Sequence, residues 1–129
     1  MTIWTARIAA ALWVCALVWM WRGRWQRARW ASTLGVLVYL AHVWCAFALH
    51  YGWSHAVAYR ETARQTRELF GVDWGGGLWL NYAFTAVWIG EAGALWLRPG
   101  WSLWRAAVQA FLGFMVINAT VVVWILRAR

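Results

Sequence analysis

The chain has 129 residues, of which 64% are hydrophobic and only 12% are charged, and its mean hydropathy is +0.52. A soluble domain averages about 45–50% apolar and about 25% charged residues, so this composition excludes an ordinary soluble domain and indicates a single membrane domain. The net charge is +8 without any lysine, but the arginines stand at the ends of apolar segments, which excludes nucleic-acid binding and favours membrane lipids as partners.

The first apolar segment, residues 4–21, predicts a membrane span. No small-residue cleavage site follows it, so we expect a retained span rather than a removed signal. A dense basic loop comes next, and the second apolar segment, residues 31–53, is long enough to cross a hydrocarbon core of about 30 Å. Ser32 or Thr33 is expected to cap this second helix.

The polar segment 54–77 predicts a short helix on the membrane surface, between the second and third spans. Ser54 is its expected N-cap and Gly71 its terminating glycine. Three charged residues have the spacing of ion pairs on one helix face, namely Glu61, Arg64 and Glu68. The glycine run 75–77 predicts a tight turn that leads back into the membrane.

Residues 78–97 predict the third span, which Pro99 helps to end, and residues 103–126 predict the fourth. With short connections, the four spans predict an all-α integral membrane four-helix bundle, antiparallel and up-down. Twelve of the 15 tryptophans stand near the ends of the apolar segments, as in the aromatic belts of membrane proteins.

The arginines predict the orientation. The first connection carries four of them and no acid, whereas the polar segment 54–77 balances its arginines with acids. The positive-inside rule therefore places the first and third connections in the cytoplasm and both termini outside. The expected location is a bacterial cytoplasmic membrane.

Ionisable and amide side chains within spans are costly and therefore indicate a role. We expect Glu91 of the third span to pair with Arg105, near Gln109, and to hold the third and fourth helices together. Alternatives are a proton-handling role for Glu91 with His42, or a protonated Glu91 that faces lipid. Two amides in the outer half predict hydrogen bonds between helices, namely Asn81 and Asn118.

A stripe of small residues, Ala86, Gly90 and Ala94, follows one face of the third span. Such stripes let helix backbones approach closely, so these residues predict a contact within the bundle or with a partner, either another subunit or a second copy.

Haem b or a quinone is the cofactor hypothesis. His42 or His50 would be the ligand or hydrogen-bond partner, with Trp44 and Trp88 against the ring. The two histidines are eight residues apart on one helix, about 12 Å, so they cannot both ligate one iron.

A metal site is a further hypothesis. His50, His55 and Glu61 offer two imidazoles and a carboxylate near the outer surface. Their spacing matches no established motif, and hydrogen-bonded structural histidines are the alternative.

Three functions follow from these patterns. The favoured one is a small accessory or anchor subunit of a larger membrane complex, without catalysis of its own. The first alternative is a redox module that binds haem b or a quinone through His42 or His50. The second is proton or solute handling through Glu91 and His42. The residues supply no nucleophile with a placed base, so an enzyme is not the favoured interpretation.

Overall fold

The computed structural model describes the backbone from Thr2 to Ala128. Side chains are described for these residues except Thr2, residues 122–124 and residues 126–128. Trp124 is one of the tryptophans near the ends of the apolar segments, and its side chain lies outside the described ones, as do those of the terminal Arg127 and Arg129.

Every regular element in the described part of the chain is helical, which confirms the all-α prediction. The helices, in chain order, are α1 (Thr2–Trp21), α2 (Trp25–Ala46), a π-helical turn (Phe47–Tyr51), α3 (His55–Phe70), α4 (Gly77–Leu97) and α5 (Leu103–Ala128).

Three stretches within the described residues are long and apolar enough to cross a membrane, namely Ile3–Trp21, Trp25–Tyr51 and Leu103–Val121. This confirms the expectation of membrane-spanning helices. Helix α4 is not among the three. Its 21 residues are long enough, and they include one amide, Asn81, and one charged side chain, Glu91.

Helix α2 begins at Trp25, six residues before the predicted start of the second span. Gly23 adopts a left-handed conformation (φ 72°), so the chain reverses within three residues between α1 and α2. The prediction that Ser32 or Thr33 caps this helix is therefore wrong. Ser32 lies inside α2 and is buried.

The end of α2 also differs from the predicted one at residue 53. The π-helical turn ends at Tyr51, and Gly52 (φ 54°) and Trp53 (φ 62°) turn the chain through left-handed conformations. A bulky residue in this region is strained by about 1–2 kcal/mol. The ring of Trp53 packs on that of Trp44, with centroids 4.7 Å apart, which favours this conformation.

Helix α3 has the predicted ends. The Ser54 hydroxyl accepts a hydrogen bond from the Val57 amide (3.2 Å), and Gly71 ends the helix with φ 74°. The glycine run that follows packs tightly. A Cβ on Gly75 would lie 2.6 Å from the carbonyl oxygen of Tyr59. The glycines thus let the segment before α4 lie directly against α3, in agreement with the predicted tight turn.

The predicted ion pairs of α3 are present, since the Arg64 guanidinium donates to both Glu61 and Glu68. The hydrogen bonds from Arg64 hold the pKa of Glu61 below its ordinary value of 4.5. A carboxyl group whose pKa is lower in the folded than in the unfolded state stabilises the folded state at a pH above its unfolded-state pKa. This stabilisation is lost as the pH falls through its folded-state pKa.

We therefore expect the thermal midpoint to fall as the pH is lowered from neutrality through 4.5, and Glu61→Gln to flatten this dependence. The effect is small because the Glu61 side chain is 33% exposed and salt screens the pair. Midpoints measured against pH for both proteins test this. Parallel curves would contradict it.

One hydrophobic core joins four of the helices. Its buried residues come from α1, α2, α4 and α5, and are Ala9, Trp13, Val36, Phe84, Trp88, Ala92, Val108, Leu112 and Met115. A second cluster near the α1–α2 turn consists of Ala16, Met20, Ala28 and Leu95. Helix α4 therefore packs against the same core as the three apolar helices.

Candidate functional site

A buried ion pair joins α4 to the start of α5, as the sequence predicted. Arg105 is only 4% exposed and Glu91 only 3%, and the Arg105 Nε donates to the Glu91 Oε1 over 2.5 Å. The Ser102 hydroxyl accepts a hydrogen bond from the Arg105 backbone amide over 3.1 Å, which positions Arg105 at the start of α5. Arg105 Nη1 also donates to the carbonyl oxygens of Arg98 and Gly100. The guanidinium is therefore held by α4, by α5 and by the loop between them.

Gln109 extends this network to α1. Its Nε2 donates to the Glu91 Oε1 over 3.5 Å, and its Oε1 accepts from the Trp13 indole over 2.9 Å. Gln109 is itself only 6% exposed. The four side chains thus link α1, α4 and α5 through hydrogen bonds at one level of the bundle. Trp13 was missed by the sequence analysis, although a buried indole N–H requires an acceptor.

One oxygen of the network is left over. Glu91 Oε2 is buried and has no hydrogen-bond partner among the described residues. An unpaired buried polar atom costs about 1–3 kcal/mol, and more when the group is charged, so a hydrogen-bond donor that reached Glu91 Oε2 would stabilise the network.

Glu91 also lines a cleft of about 330 Å³ between α4 and α5. Ala86, Val87 and Gly90 of α4 form one wall, and Trp104 and Val108 of α5 form the other. Trp104 is 72% exposed. The cleft therefore opens on the outer surface of the helix bundle, with the buried acid at its base.

Several small residues of α4 face outward, whereas Ala92 is in the core. A Cβ on Gly90 or Gly93 would meet no atom within 4 Å, whereas a Cβ on Gly35 of α2 would lie 2.8 Å from the Trp88 ring. Gly35 is therefore used inside the fold, and Gly90 and Gly93 are not. Of the predicted stripe, Ala86 and Gly90 line the cleft, and Ala94 is half-buried.

Both helices present an exposed stripe with alternating spacings of three and four residues, the period of coiled-coil contacts. On α4 it consists of Ala83, Ala86, Gly90, Gly93 and Leu97. On α5 it consists of Leu103, Ala107, Ala110, Phe114, Ile117 and Val121. We call the cleft and the α4 stripe beside it the α4–α5 face.

Two residues of the cofactor hypothesis, His42 and Trp88, lie against the same ring, that of Tyr39. His42 is half-buried, with Nδ1 3.2 Å from the Thr5 hydroxyl and its ring stacked on Tyr39. Trp88 is in the core and donates its indole N–H to Ser32 over 3.3 Å.

The other two cofactor candidates are on the surface. Trp44 is 64% exposed and packs on Trp53. His50 is exposed in the π-helical turn. Tyr39 thus joins His42 to Trp88, and the cofactor hypothesis stays a prediction.

The metal hypothesis gains no support from the geometry. Among the described residues, no three His, Cys, Asp or Glu side chains come together in a group that could hold a metal ion. His55 Nδ1 lies 2.9 Å from the Tyr82 hydroxyl, and its ring packs on those of Tyr82 and Trp79. Its described role is to fasten α3 to α4.

The amides predicted to join helices are on the surface. Asn81 and Asn118 are both exposed. On α2, the buried polar contact that the sequence did not predict is that of Ser32. Its hydroxyl accepts a hydrogen bond from the Trp88 indole N–H. A serine in an apolar segment gives no sign of its partner until the facing helix is known.

Comparisons with known proteins were made at three levels. No protein-family model, curated protein or solved structure matches this chain.

Proposed function

We propose that this chain is a small accessory or anchor subunit that crosses the membrane four times and docks a transmembrane helix of a larger membrane protein on its α4–α5 face. In this proposal it performs no catalysis of its own. The observation that carries the proposal is that Gly90, which lines the cleft, and Gly93 both face outward with no atom within 4 Å of an added Cβ.

The fourth span in this proposal is α4. Its 21 residues extend about 31 Å at 1.5 Å per residue, close to the thickness of a hydrocarbon core. Phe84, Trp88 and Ala92 pack in the core shared with α1, α2 and α5. Glu91, its one charged residue, is paired with Arg105 and shielded from lipid. These features support a membrane position for α4 beside α1, α2 and α5.

Small residues matter in this setting because lipid tails are as apolar as leucine, so helices associate in membranes mainly through close packing and polar contacts. Glycine and alanine let a second helix approach the backbone of α4. A helix seated there would also cover Trp104 and place a side chain near the open end of the cleft. A donor on that helix, directly or through a water, would satisfy Glu91 Oε2.

The proposed orientation follows from the basic connections. Four arginines in the α1–α2 region, and Arg98 in the α4–α5 loop, lie at the same end of the bundle. The positive-inside rule supports a cytoplasmic position for this end, with α3 on the opposite side of a bacterial cytoplasmic membrane.

Ala86→Leu tests the docking proposal. The added side chain fills the cleft without meeting the core, so we expect loss of the partner that copurifies from native membranes while the thermal midpoint stays unchanged. Ala41→Leu is the matched control, because Ala41 is an exposed alanine on α2, away from the α4–α5 face. Equal retention of the partner by both variants would contradict the proposal.

Proton handling through Glu91 is a second candidate, and the unpaired Glu91 Oε2 is the observation that favours it. It requires proton flux by the purified protein in liposomes that Glu91→Gln abolishes. Under the docking proposal the purified protein gives no such flux, with or without this substitution.

A further inference from the structure

Positive charge is densest at the end of the bundle that carries the α1–α2 turn. The end that carries the α1–α2 turn holds one acid, Glu91, and six arginines, namely Arg22, Arg24, Arg27, Arg29, Arg98 and Arg105. At the opposite end, α3 and the segment after it balance three arginines with three acids, namely Arg60, Arg64, Arg67, Glu61, Glu68 and Asp73.

Two of the six arginines are occupied inside the fold. Arg105 pairs with Glu91, and the Arg29 Nε donates to the carbonyl oxygen of Leu95 over 2.9 Å. Arg22, Arg24 and Arg27 are exposed, and none of them forms a salt bridge with a described acid. These three residues surround the α1–α2 turn and carry its excess positive charge.

A single indole ring gathers two of these cations. The Cζ of Arg27 lies 4.8 Å from the Trp19 ring centroid, and that of Arg22 lies 5.9 Å from the same centroid. Cation–π attraction holds each guanidinium near the ring, but two like charges around one ring repel each other. A bound anion would remove this repulsion and accept hydrogen bonds from both guanidinium groups.

The start of α2 adds a third feature. Its N-cap residue, Arg24, makes no side-chain capping bond. A helix N-terminus has free amide donors and a partial positive charge, both of which favour an anion. The uncapped N-terminus of α2 therefore lies at the same turn as Arg22 and Arg27, the two arginines over the Trp19 ring.

Aromatic rings border this turn. Trp21 is 75% exposed, and its ring packs on Trp101, with centroids 5.6 Å apart, while Trp25 packs on the same ring at 5.9 Å. Indole rings at the ends of membrane helices settle at the level of glycerol and headgroups. The ligand of the turn is therefore expected to have an apolar body beside its anionic group.

We propose that Arg22, Arg24 and Arg27, with the start of α2, form a binding site for the phosphodiester group of an anionic phospholipid. Arg22 and Arg27 bind the phosphate oxygens from either side of the turn, and the exposed tryptophans contact the glycerol and upper acyl chains. The site is independent of the docking face, since it lies on the α1–α2 turn.

Native mass spectrometry of the detergent-solubilised full-length protein, titrated with palmitoyl-oleoyl phosphatidylglycerol or with the corresponding phosphatidylcholine, tests the site. Each basic residue near an anionic surface contributes about fivefold in affinity, so we expect Arg22→Gln/Arg27→Gln to weaken phosphatidylglycerol binding about 10- to 30-fold. Arg60→Gln/Arg67→Gln is the matched control, because it removes the same charge from the opposite end. We expect a change of less than about twofold in the control.

Several results would overturn the proposal. One is equal weakening by the two double variants, which would show a response to net charge alone. Another is equal affinity of the unsubstituted protein for the two lipids. A third is displacement of phosphatidylglycerol by inorganic phosphate at constant ionic strength, which would identify a site for free phosphate. Trp19→Leu keeps all the charges and is expected to weaken binding by removing the ring that gathers Arg22 and Arg27.

Discussion

Arg105→Gln is expected to destabilise the protein by about 3–5 kcal/mol, because it leaves the buried Glu91 carboxylate without its cation. The carboxylate is almost fully enclosed, and its remaining described partner is the Gln109 amide at 3.5 Å. Arg105 also fastens the loop between α4 and α5 through the carbonyl oxygens of Arg98 and Gly100. The free energy of unfolding, measured by denaturant titration in a fixed micelle, gives the size of the loss.

A double-mutant cycle separates the ion pair from these other contacts. Glu91→Gln/Arg105→Gln removes both charges, so we expect it to be less destabilised than the sum of the two single variants. Additive effects would show that Glu91 and Arg105 do not stabilise each other. A cost below about 1 kcal/mol for Arg105→Gln would show that the pair is not buried in the protein.

Gly35→Ala is expected to destabilise the protein by about 1–3 kcal/mol through overpacking. The new methyl group would lie 2.8 Å from the Trp88 ring and 3.3 Å from the Cβ of Leu12. Trp88 is 2% exposed and is held by its hydrogen bond to Ser32, so the ring cannot move without loss of that bond. The free energy of unfolding measures the loss of stability, and the near-ultraviolet circular dichroism of the tryptophans reports displacement of the Trp88 ring.

Gly90→Ala is the matched control for this substitution. It makes the same chemical change in another helix, but no atom lies within 4 Å of the new methyl group. Alanine is favoured over glycine within a helix by about 0.5–1 kcal/mol, so this variant is expected to be neutral or slightly more stable. Similar destabilisation by both variants would contradict the assignment of Gly35 to the inside and Gly90 to the outside.

Much of the helical architecture could be predicted from local sequence. Long apolar segments predict helices because a backbone in lipid must satisfy its own hydrogen bonds. Ser54 and Gly71 marked the ends of α3, since capping depends on neighbouring residues alone. The start of α2 was missed because Arg27 and Arg29 suggested a loop, whereas arginine is a good helix former and Gly23 alone suffices for the turn.

The candidate site was predictable only in part. Arg105 follows Glu91 across a short loop, so helix depth was enough to predict this pair. The Trp13–Gln109 bond joins residues 96 positions apart and depends on how α1 packs against α5. Which small residues face outward likewise depends on helix rotation, and Gly35 and Gly90 look alike in the sequence. Their different surroundings emerge only from the packed structure.

The proposed docking of a transmembrane helix on the α4–α5 face is tested most directly by photo-crosslinking in the native membrane. A photoreactive amino acid at position 86 or, as a control, at position 41 would be activated in cells, and the products identified by mass spectrometry. We expect position 86 to yield one membrane protein, crosslinked through a transmembrane segment, and position 41 to yield only lipid adducts. Only lipid adducts from both positions would contradict the docking proposal.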